Sequence, residues 1–345
     1  MKGIVGLIAL SLVLVLGVPP VPTAAGSFYE GKKIRLIVSS TPGGGNDTYS
    51  RLIARHIPKY IPGKPTMIVQ NMPGGGGVVA ANYLYGRARR DGTVMEQVNW
   101  GVWHYQAIKD QRARFDFNKM SAVGVAAIEN TLIYCRTDRF KSLADIRKSG
   151  KKAKVGASGR QSTGFVLGNL LEKVLGVKLF EFVLGYPGAR QYSLAVRQGE
   201  LDCSGNTQAS FLDQLGDMLK AGKLVPLAQS GNLDGKRDPM FSNIPLIKEL
   251  PKTRKGKEIA ETTFFFSHYG RPYALPPGVP KERVKLLRDA FWKTVHDPEL
   301  LAEAKKLHRV IQPARGEKLQ AIWKNDVNPP PKMLEIVQGI FGRKK

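Results

Sequence analysis

The run Ile34-Arg35-Leu36-Ile37-Val38 is apolar and β-rich, Gly43-Gly44-Gly45 break it, and Asp47 to Tyr60 then carries Leu52, Ile53 and Ile57 at helical spacing. A strand that opens through a glycine loop into an amphipathic helix is the repeating unit of a parallel sheet with covering helices. The unit recurs. Met67 to Val69 reads as a second strand, Pro73 to Gly77 as a second break, Val78 to Tyr85 as a helix and Thr93 to Val98 as a third strand. The pattern restarts at Leu132 to Cys135, followed by a short helix from Ser142 to Lys148 with Ser142 as its N-cap. Lys154 to Gly156 is a strand, and Thr163 to Leu175 a strongly amphipathic helix stopped by Gly176. Phe180 to Val183, Gln191 to Gln198, Leu201 to Cys203, Phe211 to Lys220 and Val225 to Gln229 continue the alternation, and the chain turns mostly helical after Pro280. Two α/β units and a helical return predict a bilobed α/β architecture with a hinge, its C-terminal segment packing on lobe one. Lobe one is expected to span 27–130 plus 263–345 and lobe two 131–262, with crossings near Ile128 to Leu132 and Thr262 to Phe266.

The N-terminus carries Lys2, an apolar run from Ile4 to Val18, a Pro-rich neck and the small residues Thr23 to Gly26. Positive start, apolar core and small-residue neck are the pattern of a cleaved secretory signal peptide, here residues 1–26, which implies export. The apolar run is short for a membrane span, which needs about 20 residues. The 345-residue chain has a formal net charge of +25, which invites a nucleic-acid reading. Export and the scatter of basic residues along helices, as at Arg87, Arg89 and Arg90, speak against nucleic acid and for a solvated face that attracts anionic solutes. Cys135 and Cys203 lie in apolar strand-like runs, where a free buried thiol is the ordinary case, although an oxidising compartment permits a disulfide. A monomer is expected.

Three strand ends open into small-residue loops that lead into helices: Pro42 to Asp47, Pro73 to Gly77, and Gly156 to Gly159 followed by Ser162, Thr163 and Gly164. Small residues let a ligand approach the backbone, and helix starts offer unpaired N–H groups and partial positive charge. Together they suit a carboxylate or phosphate, and in open α/β sheets ligands bind at such strand ends. None of the loops carries a dinucleotide or P-loop fingerprint, so no cofactor is expected. Asp47 reads equally as a first-turn carboxylate or as a ligand contact. Trp100, after the third strand, reads either as an apolar wall of the site or as a packed core residue. The five histidines have no metal-ligand spacing, and no nucleophile elbow is present, so neither a metal nor a catalytic residue is expected.

The runs Gly31 to Val38, Pro42 to Asp47, Val69 to Gly77, Arg90-Asp91-Gly92, Lys141 to Asp145, Gly199-Glu200-Leu201-Asp202 and Leu275 to Pro280 resemble, in order, the Bug/TctC-type receptors of tripartite tricarboxylate transporters. The resemblance spans nearly the whole chain after the leader. It implies a type II-like periplasmic-binding-protein fold that closes on a small carboxylate-bearing ligand and delivers it to membrane permease subunits. It implies binding positions at Gly44, Gly45 and Asp47, at Gly75, Gly76 and Gly77, at Ser158 to Thr163, including Arg160 and Ser162, and at Asn206. The sequence departs from the family at Gly164-Phe165, at Gly185-Tyr186-Pro187-Gly188 and at Asn206, so the identity of the carboxylate does not carry over. Lobe two is expected to bring Arg160, Gln161, Ser162, Thr163, Tyr186, Asn206 and Gln208 to the cleft. A periplasmic enzyme acting on an acidic metabolite, or a receptor serving a membrane sensor, are the competing readings.

Overall fold

The computed structural model describes residues 28–99, 101–231, 235–261 and 270–341. The leader at 1–26, Trp100 and the second crossing at 262–266 lie outside the described residues. The strands are β1 Lys33–Val38, β2 Thr66–Asn71, β3 Val94–Gln97, β4 Ser121–Val125, β5 Thr131–Arg136, β6 Ala153–Ala157, β7 Phe180–Leu184, β8 Cys203–Thr207, β9 Leu224–Gln229, β10 Pro272–Leu275 and β11 Ala314–Arg315. The helices are α1 Gly45–His56, α2 Val78–Gly86, α3 Trp103–Ala107, α4 Leu143–Lys148, α5 Thr163–Leu175, α6 Ala189–Gln198, α7 Gln208–Lys220 and α8 Arg254–Glu261. The return segment adds α9 Lys281–Thr294, α10 Pro298–Lys306, α11 Gly316–Asp326 and α12 Pro331–Phe341.

Two sheets form. Lobe one holds six strands in the order β11-β4-β10-β3-β1-β2, and lobe two five in the order β7-β6-β8-β5-β9. Each has a parallel core, β2-β1-β3 in one and β7-β6-β8 in the other. The strand–helix alternation alone predicts parallel sheets, and neither sheet is wholly parallel. β10 runs antiparallel to β3 and β4, and β5 antiparallel to β8 and β9, because the chain enters each of these strands from the opposite lobe.

Local signals act as the sequence suggests at several ends. The Ser142 hydroxyl accepts the Asp145 N–H at 3.1 Å and opens α4. Gly176 closes α5 at φ +69°, a left-handed backbone that a residue with a Cβ adopts at a cost. The core of lobe one includes Phe117 against Trp323, ring centroids 4.9 Å apart. α11 packs on β4, and α12 reaches from α3 in lobe one to α5 in lobe two, with Val337 fully buried in the cluster that spans both.

The reading of two free thiols does not hold: Cys135 and Cys203 form a disulfide. Cys135 on β5 faces Cys203 on the neighbouring strand β8, a pairing set by tertiary register and invisible in a 68-residue separation.

Candidate functional site

A cavity of about 510 Å³ lies between the lobes at the C-terminal ends of the parallel strands. Its lobe-one wall is built from small and polar groups. Ser39, Ser40 and Thr41 follow β1, Gly44 and Gly45 open α1, Gly75 and Gly76 form the second loop, and Asn99 follows β3. Gly44 is the N-cap of α1 and brings no side-chain cap, so the first N–H groups of the helix are left for another acceptor. In the second loop Gly74, Gly75, Gly76 and Gly77 all have positive φ, from +55° to +139°, a run only glycine sustains.

The lobe-two wall comes from the start of α5 with Ser158, Ser162 and Thr163, from Tyr186, and from Asn206 at the end of β8. It continues into an apolar face. Val166, Leu167 and Leu170 are spaced i, i+1, i+4 on one side of α5, and Ile247 stands with them.

Four expected contacts are not on the cavity wall. The Asp47 carboxylate accepts the Gly43 N–H, Arg51 Nε and Asn71 Nδ2, each at 2.9 Å, and so pins the first loop. Burial pushes its carboxyl up, but the bonds from Arg51, Gly43 and Asn71 outweigh this and hold it below the usual aspartate range. Gly77 is a packing glycine. A Cβ there would lie 2.8 Å from Asn99 Cβ and 2.9 Å from Val102 Cγ2. Arg160 points to Phe165, its guanidinium carbon 5.8 Å from the ring centroid. Gln208 is also elsewhere, its Oε1 accepting from Asn130 Nδ2 at 3.0 Å.

Some residues that do touch the cavity are already engaged. Asn206 Nδ2 donates to Tyr134 Oη at 3.1 Å and to Ser193 Oγ at 3.0 Å, while its Oδ1 accepts from Tyr192 Oη at 2.7 Å. Asn206 therefore holds Tyr192, another wall residue, in place. The Ser162 hydroxyl donates to Gly159 O at 2.7 Å, and the Tyr186 hydroxyl to Glu200 at 2.5 Å. Burial, with Glu200 beside it, pushes the Tyr186 phenol up to about 12, so it stays a protonated donor.

Gln161, expected at the cleft, and Arg271, which no motif marks, complete the site. Gln161, in the third loop, is 1% exposed and lines the cavity. Neither Oε1 nor Nε2 has a hydrogen-bond partner, leaving a buried amide with both ends open. It reaches across to lobe one: a Cβ on Gly101 would lie 2.8 Å from Gln161 Cβ, and one on Gly76 would collide with Gln161 Oε1. Arg271, just before β10, is 4% exposed. Its Nε donates to Glu129 Oε2 at 2.6 Å, Nη1 to Asn46 Oδ1 at 2.5 Å and Nη2 to Thr207 Oγ1 at 3.0 Å, and the group lies 4.3 Å from the Tyr49 ring centroid. One guanidinium thus ties lobe one, the first crossing and lobe two together. Glu129 and Arg271 are far apart in sequence, and neither belongs to a short motif.

No family model matches the chain. The UPF0065 protein in gbd 5'region of Cupriavidus necator is 27% identical over 303 residues, 85% of this chain and 83% of the relative. A solved structure of the periplasmic binding protein BugD superimposes with a TM-score of 0.72 at 19% identity, covering 92% of this chain and 100% of BugD. This chain has the Bug/TctC fold. A TctC solute binding protein from Polaromonas agrees at a TM-score of 0.59 and 21% identity, over 90% of this chain and 99% of that one. MatC from Rhodopseudomonas palustris, solved with bound malate, agrees at 0.68 and 18%, over 89% of this chain and 99% of that one. In this Bug/TctC fold the two glycine loops and the start of α5 converge on one interlobe cavity.

Proposed function

We propose that this chain is an exported, periplasmic solute-binding receptor that takes a small carboxylate-bearing molecule into the interlobe cavity and delivers it, unchanged, to membrane permease subunits of a tripartite tricarboxylate-type transporter. The observation that carries this reading is the cavity wall. Uncapped N–H groups at the start of α1 and the unpartnered amide of buried Gln161 meet in one cavity. The N–H groups and Gln161 Nε2 are donors for a carboxylate, and a buried donor left without an acceptor is costly. The relatives support the ligand class, since MatC was solved with malate and another Rhodopseudomonas palustris protein of the same fold with adipate. The leader-like N-terminus supports export. We place the first hinge strand at the connection between β4 and β5, 126–130, slightly before the expected Ile128 to Leu132, where Glu129 meets Arg271.

A thermal-shift screen against a library of carboxylic acids tests the reading. A true ligand at a hundredfold excess over its dissociation constant adds about 2.7 kcal/mol of stability. Mass spectrometry of the best acid after prolonged incubation should recover it intact. A library without a single stabilising acid would defeat the carboxylate reading, and conversion in proportion to protein concentration would defeat the receptor reading.

A further inference from the structure

The two walls of the cavity differ in a way that bears on the far end of the ligand. The lobe-one loops and Gln161 offer donors, and lobe two adds the hydroxyls of Ser158 and Thr163. The same lobe lines part of the cavity with hydrocarbon, from Val166, Leu167 and Leu170 of α5 and Ile247, each no more than 5% exposed. Among the described residues the charged side chains on the wall are Arg271 and Glu129, and these are paired with each other. Arg271 has further acceptors in Asn46 and Thr207. Glu129 keeps one oxygen, Oε1, buried and without a hydrogen-bond partner. Among the described residues the wall therefore holds no surplus cation for a second carboxylate, and the charged atom without a hydrogen-bond partner is negative. A second ionised group set against the leucines would lose its hydration with nothing in return. A volume of about 510 Å³ falls among pockets that take ligands of appreciable size, which leaves space for a body beyond the carboxylate.

We infer that the ligand carries a single carboxylate, held at the lobe-one wall and Gln161, and an apolar aliphatic or aromatic body laid against Val166, Leu167, Leu170 and Ile247. The inference rests on the carboxylate reading above and narrows it: di- and tricarboxylates are the poorer ligands.

Hexanoate and adipate form the decisive pair, since they have the same chain length and differ by a methyl against a carboxylate at the far end. Titration calorimetry at neutral pH should give hexanoate at least a tenfold lower Kd than adipate, with phenylacetate also binding more tightly than malate. Adipate binding as well as hexanoate or better overturns this inference and leaves the carboxylate reading standing. Absence of binding by all four acids and by the wider library overturns both. Leu167→Lys puts a cation on the apolar wall and should reduce the hexanoate preference at least tenfold. If circular dichroism shows that variant unfolded, Leu167→Asn carries the same comparison and should weaken hexanoate about fivefold with less effect on adipate. An unchanged ratio in a folded variant removes α5 from the far-end contact and overturns the inference.

Discussion

On the proposed function, the lobe-one and lobe-two walls of the cleft contribute to recognition by different means. Lobe one offers backbone: glycines at Gly44, Gly45, Gly75 and Gly76 and a helix start, anchored from behind by the Asp47 carboxylate. Lobe two offers side chains: the open amide of Gln161, the apolar face of α5, and Tyr192 held by Asn206. A backbone wall recognises negative charge in general, because N–H groups are the same in every residue. A side-chain wall distinguishes one acid from another. The lobes also differ in how they are held: the disulfide joins β5 to β8 within lobe two, and lobe one contains no cysteine.

Removing the disulfide tests that difference with the largest expected effect. Closing a 68-residue loop is worth about 4 kcal/mol in the chain-entropy model. The Cys135→Ser, Cys203→Ser double variant should lose stability on that scale in urea unfolding, with lobe two opening first by hydrogen exchange. Equal protection loss in both lobes would break the contrast.

Gly76→Val comes next. Gly76 has φ +67°, and a Cβ there would collide with Gln161 Oε1, so both backbone and lobe contact suffer. Binding of every acid should weaken about a hundredfold, a loss near 2.7 kcal/mol. Normal affinity, or loss confined to one acid, would remove the charge-reading role from the lobe-one wall.

Gln161→Ala should weaken acids about tenfold, within the roughly 1–3 kcal/mol attached to a buried polar group that loses its partner. It should leave stability close to wild type, because the amide has no partner within the protein. A large fall in stability with unchanged affinity would mark Gln161 as a packing residue.

Asp47→Asn should have the smallest effect, about 1 kcal/mol at neutral pH, and a pH signature. The native Asp47 carboxyl is held below its ordinary range. Its contribution is therefore present above the unfolded pKa of about 4 and lost as pH falls through the lower native one. Wild-type thermal stability should thus fall more steeply in acid than that of Asp47→Asn. Parallel profiles would show that the loop is held by other means.

The parts of this design written locally were legible in the sequence. Strand β1, its glycine loop and α1 follow each other directly, and the stop of α5 at Gly176 needs only the residues around it. What stayed hidden depends on tertiary neighbours. β4 and β10 are short, lack the strand–helix rhythm, and complete the lobe-one sheet only because the chain returns between lobes. The reading put the strand of Leu201 to Cys203 too early, since its pairing partners on β5 extend it to Thr207. The disulfide and the Arg271–Glu129 tie depend on residues brought together from distant segments. The resemblance places Asn206 at the ligand; it lines the cavity, with its amide donors engaged by Tyr134 and Ser193.

The central claim is that the cleft reads the negative charge of a carboxylate through the lobe-one wall and Gln161. Calorimetric titration of the unmodified protein with its best acid and with the primary amide of that acid tests it most directly, since the two have nearly the same shape and differ in charge. The acid should bind at least about a hundredfold more tightly, a difference near 2.7 kcal/mol. Equal affinity for acid and amide would contradict the claim.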